Sequence, residues 1–309
     1  MYTKTIEMVE VGPRDGLQNE KTVVATEDKL RLIERAIAAG SRRIEVASFV
    51  NPRAVPQMAD AEAVCAGLPD RDDVTYIGLV MNARGGTRAL ETGRIDQLGA
   101  VAVASDGLGV ANQGQTSDES VDAASELIAM ARDAGKTGQA TIAASFGCPF
   151  DGEVSEARVV MMAKRLAEAK PVEIALADTI GVANPAHVSR LVRAAIDAVA
   201  PIPVRVHFHN TRGTGLANVW AAIEAGVATV DASIGGLGGC PFSPGAAGNV
   251  ATEDVVYMLE RGGIDTGLDL DALIEINKWM GSLMGRELPA MVAKAKAFPP
   301  TGSQEKEVA

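Results

Sequence analysis

Cysteine is scarce in this sequence, and its three positions, Cys65, Cys148 and Cys240, are widely separated. Small secreted proteins that depend on disulfides carry more cysteines at closer spacing, so a disulfide framework is excluded. No two of these cysteines have the spacing of a structural zinc site. The sequence therefore predicts a protein of the reducing cytoplasm. In agreement, nothing at its start has the pattern of a signal or transit peptide.

Clusters of positive charge and long apolar runs are also missing. The 29 Lys and Arg residues are outnumbered by 40 Asp and Glu residues, which gives a net charge of −11, and the basic residues are not interleaved with aromatics. This balance argues against nucleic acid or an anionic membrane surface as a partner. No apolar run approaches the roughly 20 residues of a transmembrane helix. The remaining composition, 47% hydrophobic and 22% charged, is that of an ordinary enzyme.

Short apolar runs rich in β-branched residues alternate with segments of helical periodicity. The apolar runs are residues 6–11, 43–50, 75–81, 100–105, 140–146, 172–179, 204–210 and 229–234. The helical segments between them include 27–39, 117–134, 155–169, 186–199 and 215–225. Such alternation indicates an α/β protein with a parallel sheet buried on both faces, and eight units predict a (β/α)8 TIM barrel. The alternative is an open doubly wound sheet, which is disfavoured because no Gly-x-Gly-x-x-Gly turn follows the first run.

Extra helices are predicted after the barrel. Helical patterns cover residues 252–261, 268–284 and 289–297. We find no domain boundary, so residues 1–298 are predicted to form a single catalytic domain. Residues 299–309 are polar and are predicted to be a disordered tail.

Two of the three histidines, His207 and His209, lie at the end of the seventh apolar run. Side chains two residues apart in a strand point the same way, so both imidazoles are expected on one face. Two histidines satisfied within a strand would explain the pair on its own. Two imidazoles on one face are also half of a metal site.

Polar residues follow five of the predicted strands, at the end where barrel enzymes carry their active site. They are Arg14 and Asp15, Glu45 and Ser48, Asp178 and Thr179, the histidine pair, and the glycine-rich segment 235–249. Each has an ordinary explanation, such as a surface ion pair or a helix cap, but together they predict a site. Asp15 and the two histidines suit a divalent metal with open positions, and the oxygen-rich surroundings favour Mg²⁺ or Mn²⁺. Arg14 would add a charged donor for a developing enolate.

The glycine-rich segment carries one thiol and two prolines, and it lacks the Lys-Ser/Thr of a phosphate-binding loop. It is either a long connection or a mobile lid that brings Cys240 over a substrate. Cys148 lies in the same tetrapeptide, Gly-Cys-Pro-Phe, so spacing does not choose between the two thiols; loop mobility favours Cys240. Asn249 could cap a helix beginning at Val250 or bind the metal.

At these residues the sequence resembles the hydroxymethylglutaryl-CoA lyase family, within a wider group of metal-dependent barrel lyases and Claisen synthases. The carrying segments are residues 9–20 (VEVGPRDGLQNE), 48–52 (SFVNP), 55–60 (VPQMAD), 178–181 (DTIG), the histidine pair and 235–253. They follow the family's order over nearly the whole chain.

The resemblance implies a role for each matching residue. It implies metal ligation by Asp15, His207, His209 and Asn249, enolate stabilisation by Arg14 and proton transfer by Cys240. Glu45 and Asp178 match functional acidic positions counted with the catalytic residues. Gln18, Ser48, Thr179 and Glu253 match positions near the substrate. The resemblance also implies an acyl-CoA substrate, a homodimer or small homo-oligomer and a place in leucine degradation.

Three departures from the family pattern put the acyl group in question. Residues 210–213 read Asn-Thr-Arg-Gly where the family commonly shows Asp-Thr-Tyr-Gly. Ala175 and Ala177 stand where typical lyases carry Ser and Gly, and residues 105–112 replace a Ser-Glu-x-Phe segment. A lost polar contact can change which substrate is accepted.

The expected activity is retro-Claisen cleavage of 3-hydroxy-3-methylglutaryl-CoA or an analogue to acetyl-CoA and a ketoacid. The general base is either Asp15 or Asp178 acting through His207. Alternatives are the same chemistry on another 3-hydroxyacyl-CoA, such as citramalyl-CoA, or an acetyl-CoA-dependent Claisen synthase. A non-catalytic binding barrel is the alternative from a different class.

Overall fold

The structure, a computed structural model, describes residues 5–238, 248–295 and 298. Parallel strands form a closed barrel in which spatial order follows the sequence and the last strand pairs with the first. The strands are β1 (Glu7–Glu10), β2 (Arg43–Ser48), β3 (Thr75–Val80), β4 (Gln97–Val103), β5 (Thr137–Ala143), β6 (Ile174–Asp178), β7 (Val204–Phe208) and β8 (Thr229–Ala232). The predicted (β/α)8 barrel is confirmed, and the open doubly wound sheet is wrong.

Helices connect successive strands and cover the outside of the barrel. They are α1 (Thr26–Ala38), α2 (Ala61–Gly67), α3 (Ala83–Glu91), α4 (Asp106–Gln113), α5 (Ser117–Asp133), α6 (Glu156–Glu168), α7 (Pro185–Val199) and α8 (Gly215–Glu224). After β8 come α9 (Thr252–Arg261), α10 (Leu270–Met284) and α11 (Val292–Ala295). No helix in the described ranges combines the length and apolar character needed to cross a membrane.

Two strands and three helices differ from the expectations. Strands β4 and β5 begin with polar residues, because the buried Gln97 and Gln139 face a charged group, Arg43, inside the barrel. Helices α2, α3 and α4 were not among the helical segments predicted from the sequence. Helices α3 and α4 each contain two glycines, which weaken helical propensity. Side-chain caps from Asn82 and Ser105 start these two helices.

The C-terminal helices pack onto the barrel's outer core. In α10, Leu273, Ile276 and Met280 are buried and belong to the main apolar cluster. The buried carboxylate of Asp254 accepts hydrogen bonds from the backbone N–H groups of Met291 and Val292, so α9 anchors the start of α11. The bounds predicted for the domain stay a prediction, and the tail 299–309 lies outside the described residues.

Candidate active site

The turn after β1 places two charged side chains over the mouth of the barrel. Residues Gly12–Gly16 form one π-helical turn, in which Arg14 is buried and Asp15 half-buried. Gly16 lies against the segment after β8, where a Cβ atom would come within 2.6 Å of Ser233 Oγ. A side chain at this position would displace its neighbours, so the turn packs closely against the end of the barrel.

Strand β7 brings both predicted histidines to Asp15. The His207 and His209 ring centroids lie 5.2 Å apart, and His207 Nε2 lies 3.9 Å from Asp15 Oδ2. One ligand atom from each of the three residues falls within 4.8 Å of the others. A single divalent cation could therefore contact all three.

Asn249 joins this cluster from the segment that precedes α9. Its backbone bridges to His209, and its Nδ2 donates to Asp15 Oδ2 at 2.7 Å and to the Leu237 carbonyl at 3.0 Å. Helix α9 begins at Thr252 after Ala251, so Asn249 is not its cap and that alternative is wrong.

Two ligand-type atoms of the cluster have no partner among the residues that the structure describes. Asn249 Oδ1 and His209 Nδ1 are buried and accept no hydrogen bond from any residue that the structure describes. Buried polar atoms are normally paired. Burial, together with the charge of His207, lowers the pKa of His209 to about 4, so its ring is neutral at pH 7 and keeps a lone pair. The donor set fits a cation.

Arg14 is held by carboxylates on two sides. Its Nη1 lies 2.6 Å from Asp15 Oδ1, and its Nε donates to Glu45 Oε1. Burial opposes the ionisation of Asp15, but the charges of Arg14 and the histidines lower its pKa below the usual range. Asp15 is therefore an anion at neutral pH, as a metal ligand must be.

The other predicted site residues divide into two groups. Gln18 Oε1 and Ser48 Oγ are buried without a hydrogen-bond partner among the described residues. Thr179 Oγ1 instead accepts from the Ala144 N–H, and both Asp178 oxygens accept backbone N–H groups of residues 182 and 183. Asp178 therefore shapes the loop after β6.

Two buried glutamates fix the segment that leads into the glycine-rich loop. Glu253 accepts from the Gly235 N–H and from Asn277 Nδ2. Glu10, which was not among the predicted site residues, accepts from the N–H groups of Gly12 and Ile234 and from the Thr252 hydroxyl. The signal for Glu10 was a glutamate inside an apolar run, the same signal that selected Glu45.

Burial raises the pKa of Glu10 to about 7, so its contribution to stability depends on pH. Protonation of Glu10 in the folded protein contributes to its stability. This contribution is complete below about pH 4.5 and is lost as pH rises through 7. Glu10→Gln should therefore raise the free energy of unfolding at pH 8 by about 2–3 kcal/mol and change it little at pH 5.

Urea unfolding at the two pH values measures this difference. Glu7→Gln is the control, because Glu7 lies on the same strand in a half-exposed ion pair with Arg43. It should change stability by less than about 1 kcal/mol. Equal effects of Glu10→Gln at pH 5 and pH 8 would contradict the assignment.

Charged residues inside the barrel were also missed. Asp231 Oδ2 lies 3.2 Å from His207 Nδ1, and Asp231 Oδ1 forms an ion pair with the fully buried Arg205 at 3.0 Å. The signal was present, because each charge interrupts an apolar run. The partner of Asp231 could not be predicted from the sequence, since their pairing depends on the register between β7 and β8.

Of the two candidate thiols, only Cys148 lies among the described residues. Cys240 lies outside the described residues, as does the rest of segment 239–247. Cys148 is buried, and its Sγ accepts from the Ser105 hydroxyl at 2.8 Å and from the N–H groups of Phe150 and Asp151 at 3.3 Å. These contacts give Cys148 a structural role in the loop after β5.

One departure from the family pattern has a visible consequence. Arg212, at the position of the family's tyrosine, donates through Nη1 to the carbonyls of Ile180 and Gly181. Asn210 accepts from the Gly215 N–H at the start of α8. Both residues therefore tie loops together at the carboxyl end of the barrel.

Fold and site together define a (β/α)8-barrel protein with a polar cluster suited to a divalent cation at the carboxyl ends of its strands. The model of the HMGL-like family matches residues 5–280. The chain belongs to this family, whose members are in general metal-dependent enzymes.

Relatives of known name cover nearly the whole chain. It is 43% identical to the (R)-citramalyl-CoA lyase of Chloroflexus aurantiacus, over 94% of this chain and 95% of that protein. It is 40% identical to the hydroxymethylglutaryl-CoA lyase YngG of Bacillus subtilis, over 94% of this chain and 96% of that protein.

A solved structure also matches nearly the whole chain. The HMG-CoA lyase of Acinetobacter baumannii, in complex with coenzyme A and 3-methylmalate, superposes with a TM-score of 0.91 at 41% identity and covers 96% of each chain.

Proposed function

We propose that this protein is a divalent-metal-dependent carbon–carbon lyase that cleaves 3-hydroxy-3-methylglutaryl-CoA or a close analogue to acetyl-CoA and a ketoacid. The ketoacid from 3-hydroxy-3-methylglutaryl-CoA is acetoacetate. The observation that carries the proposal is the meeting of Asp15, His207, His209 and Asn249 at one end of the barrel. The similarity to lyases of two acyl-CoA substrates supports it.

The cation would be held by the Asp15 carboxylate, the two imidazoles and Asn249 Oδ1. The proposed ligands are nitrogen and oxygen atoms, and the cluster found among the described residues contains no cysteine. This donor set favours Mg²⁺ or Mn²⁺. When bound, the ion supplies Lewis-acid polarisation of the substrate's oxygen atoms.

The chain's own residues account for the proton and charge movements. The Asp15 carboxylate accepts the proton of the 3-hydroxyl group, and C3 becomes a carbonyl as the C2–C3 bond breaks. The electron pair of that bond forms the enolate of acetyl-CoA, whose oxygen the Arg14 guanidinium stabilises. Cys240 then gives its proton to C2, in keeping with an ordinary thiol that is mostly protonated at pH 7.

The acidic residues around this centre have supporting roles. Glu45 holds the Arg14 side chain, and Asp178 and Glu253 hold loops through backbone N–H groups. Asp178 holds the loop after β6 through backbone N–H groups, whereas the Asp15 carboxylate lies in the cluster itself, so we assign the base to Asp15. We assign Gln18 and Ser48 to substrate binding, and Gln18 Oε1 and Ser48 Oγ have no hydrogen-bond partner within the described part of the chain.

A substrate panel tests the function. Purified protein is incubated with 3-hydroxy-3-methylglutaryl-CoA, citramalyl-CoA and a longer branched 3-hydroxyglutaryl-CoA, and products are followed by mass spectrometry. We expect acetyl-CoA and the matching ketoacid from at least one thioester, complete loss with EDTA, and recovery with Mg²⁺ or Mn²⁺. Absence of acetyl-CoA from every thioester would overturn the proposal.

The same panel separates the alternatives. The replacement of Ser by Ala175 and of Gly by Ala177 favours testing citramalyl-CoA beside 3-hydroxy-3-methylglutaryl-CoA. Net condensation of acetyl-CoA with a ketoacid would instead identify a Claisen synthase. We also propose a homodimer or small homo-oligomer and a cytoplasmic location, the latter supported by the free thiols of Cys65 and Cys148.

A further inference from the structure

A line of alternating charges crosses the inside of the barrel beneath the active site. Arg205 Nε lies 3.2 Å from Glu173 Oε2, and Arg205 Nη1 lies 3.0 Å from Asp231 Oδ1. Arg43 continues the line, with Nη2 lying 3.0 Å from Glu173 Oε2 and Nη1 lying 2.7 Å from Glu7 Oε2. The line therefore runs from the amino end of the barrel up to Asp231.

The upper end of this line meets His207. Strands β7 and β8 pair His207 directly with Asp231, which places both side chains on the inner face of the barrel. Asp231 Oδ2 lies 3.2 Å from His207 Nδ1, while His207 Nε2 points toward Asp15. An Nδ1–H donated to Asp231 leaves the lone pair on Nε2, the atom directed at the cluster.

The position of Asp231 depends on Arg205. Asp231 is buried, and a buried carboxylate is costly unless a positive charge accompanies it. Arg205 meets Asp231 and Glu173 as ion pairs, and its Nη2 donates to Thr141 Oγ1 at 3.4 Å. One planar guanidinium thus spans two carboxylates.

We propose that Asp231 is a positioning residue for the lyase reaction, which orients the His207 ring and selects its tautomer, and that Arg205 and Glu173 hold Asp231 in place. The inference rests on the proposed function for the identity of the reaction. It adds residues that act through His207 and not on the substrate.

The test measures metal binding and turnover separately. Mn²⁺ is titrated into the metal-free protein and followed by electron paramagnetic resonance, and kcat and KM are measured on the best thioester of the panel. Asp231→Asn should weaken Mn²⁺ binding about 10–100-fold, since partners of metal-binding histidines have effects of this size. It should lower kcat by a similar factor and leave KM nearly unchanged.

The control is Asp254→Asn, which removes another buried carboxylate, one that serves the α11 backbone. It should lower the unfolding midpoint and leave the Mn²⁺ dissociation constant within about twofold of wild type. Arg205→Lys is the second variant, for the case that Asp231→Asn does not fold. It keeps the charge but cannot span both carboxylates, so Mn²⁺ binding should weaken several-fold.

The outcomes separate this inference from the function on which it rests. If the wild-type protein neither binds Mn²⁺ nor cleaves a thioester, the proposed function fails. If it does both, and folded Asp231→Asn matches it in Mn²⁺ affinity and kcat, the inference alone is overturned. Wild-type Mn²⁺ affinity in Arg205→Lys would overturn the role of Arg205.

Discussion

Replacing Asp15 by asparagine should lower lyase turnover by about 10³-fold or more, which corresponds to about 4 kcal/mol of transition-state stabilisation. Asparagine preserves the size of the side chain but removes the negative charge that lies beside His207 Nε2 and Arg14 Nη1. The bound cation and the orientation of Arg14 should both be lost. Turnover of the best thioester and metal content by mass spectrometry measure the two effects.

The control is Asp28→Asn, which removes the same charge from an exposed ion pair with Arg31 on α1. It should leave turnover and metal content unchanged within error. An Asp15→Asn variant that keeps the metal and more than about a tenth of wild-type turnover would remove Asp15 from the centre of the mechanism.

Replacing Cys240 by serine should lower turnover about 10²-fold or more, the size expected for loss of a general acid. A serine hydroxyl is a far weaker acid than a thiol, so protonation of C2 becomes slow. Metal content should not change, because none of the atoms in the proposed ligand set belongs to Cys240. This separates a defect in proton transfer from loss of the site.

Cys148→Ser is the matched control, because the chain repeats the same tetrapeptide around that thiol. The three donors around Cys148 Sγ can also bond to a serine oxygen, so turnover should stay within a few-fold of wild type. The reverse result, with Cys148→Ser inactive and Cys240→Ser active, would assign the acid to the other thiol.

The fold could be predicted from the sequence because its signal is local and repeated. Every predicted strand is present, since a strand buried on both faces must be apolar along its length. The starts of β4 and β5 were predicted incorrectly because polar residues occur there within the barrel strands. Gln97 begins β4 and Gln139 lies near the start of β5, and both contact Arg43 inside the barrel. A partner on another strand leaves no trace in local periodicity.

The site could be predicted only in part. Asp15 and the two histidines stood out because polar residues at strand ends are unusual in apolar surroundings. The partners of Asp178 and Glu253 are backbone N–H groups of loops, whose path depends on the folded chain. The link between Asp231 and His207 needs the strand register, which the sequence does not display.

The contact between Asp15 and Asn249 joins residues 234 positions apart, at 2.7 Å. Closing so long a loop is slow and entropically costly, and here it requires β8 to dock beside β1. During synthesis, the proposed ligand set therefore cannot assemble before Asn249 has left the ribosome. Under the proposed function, a cation that binds these residues would bind the closed barrel and would stabilise the folded state over the unfolded chain.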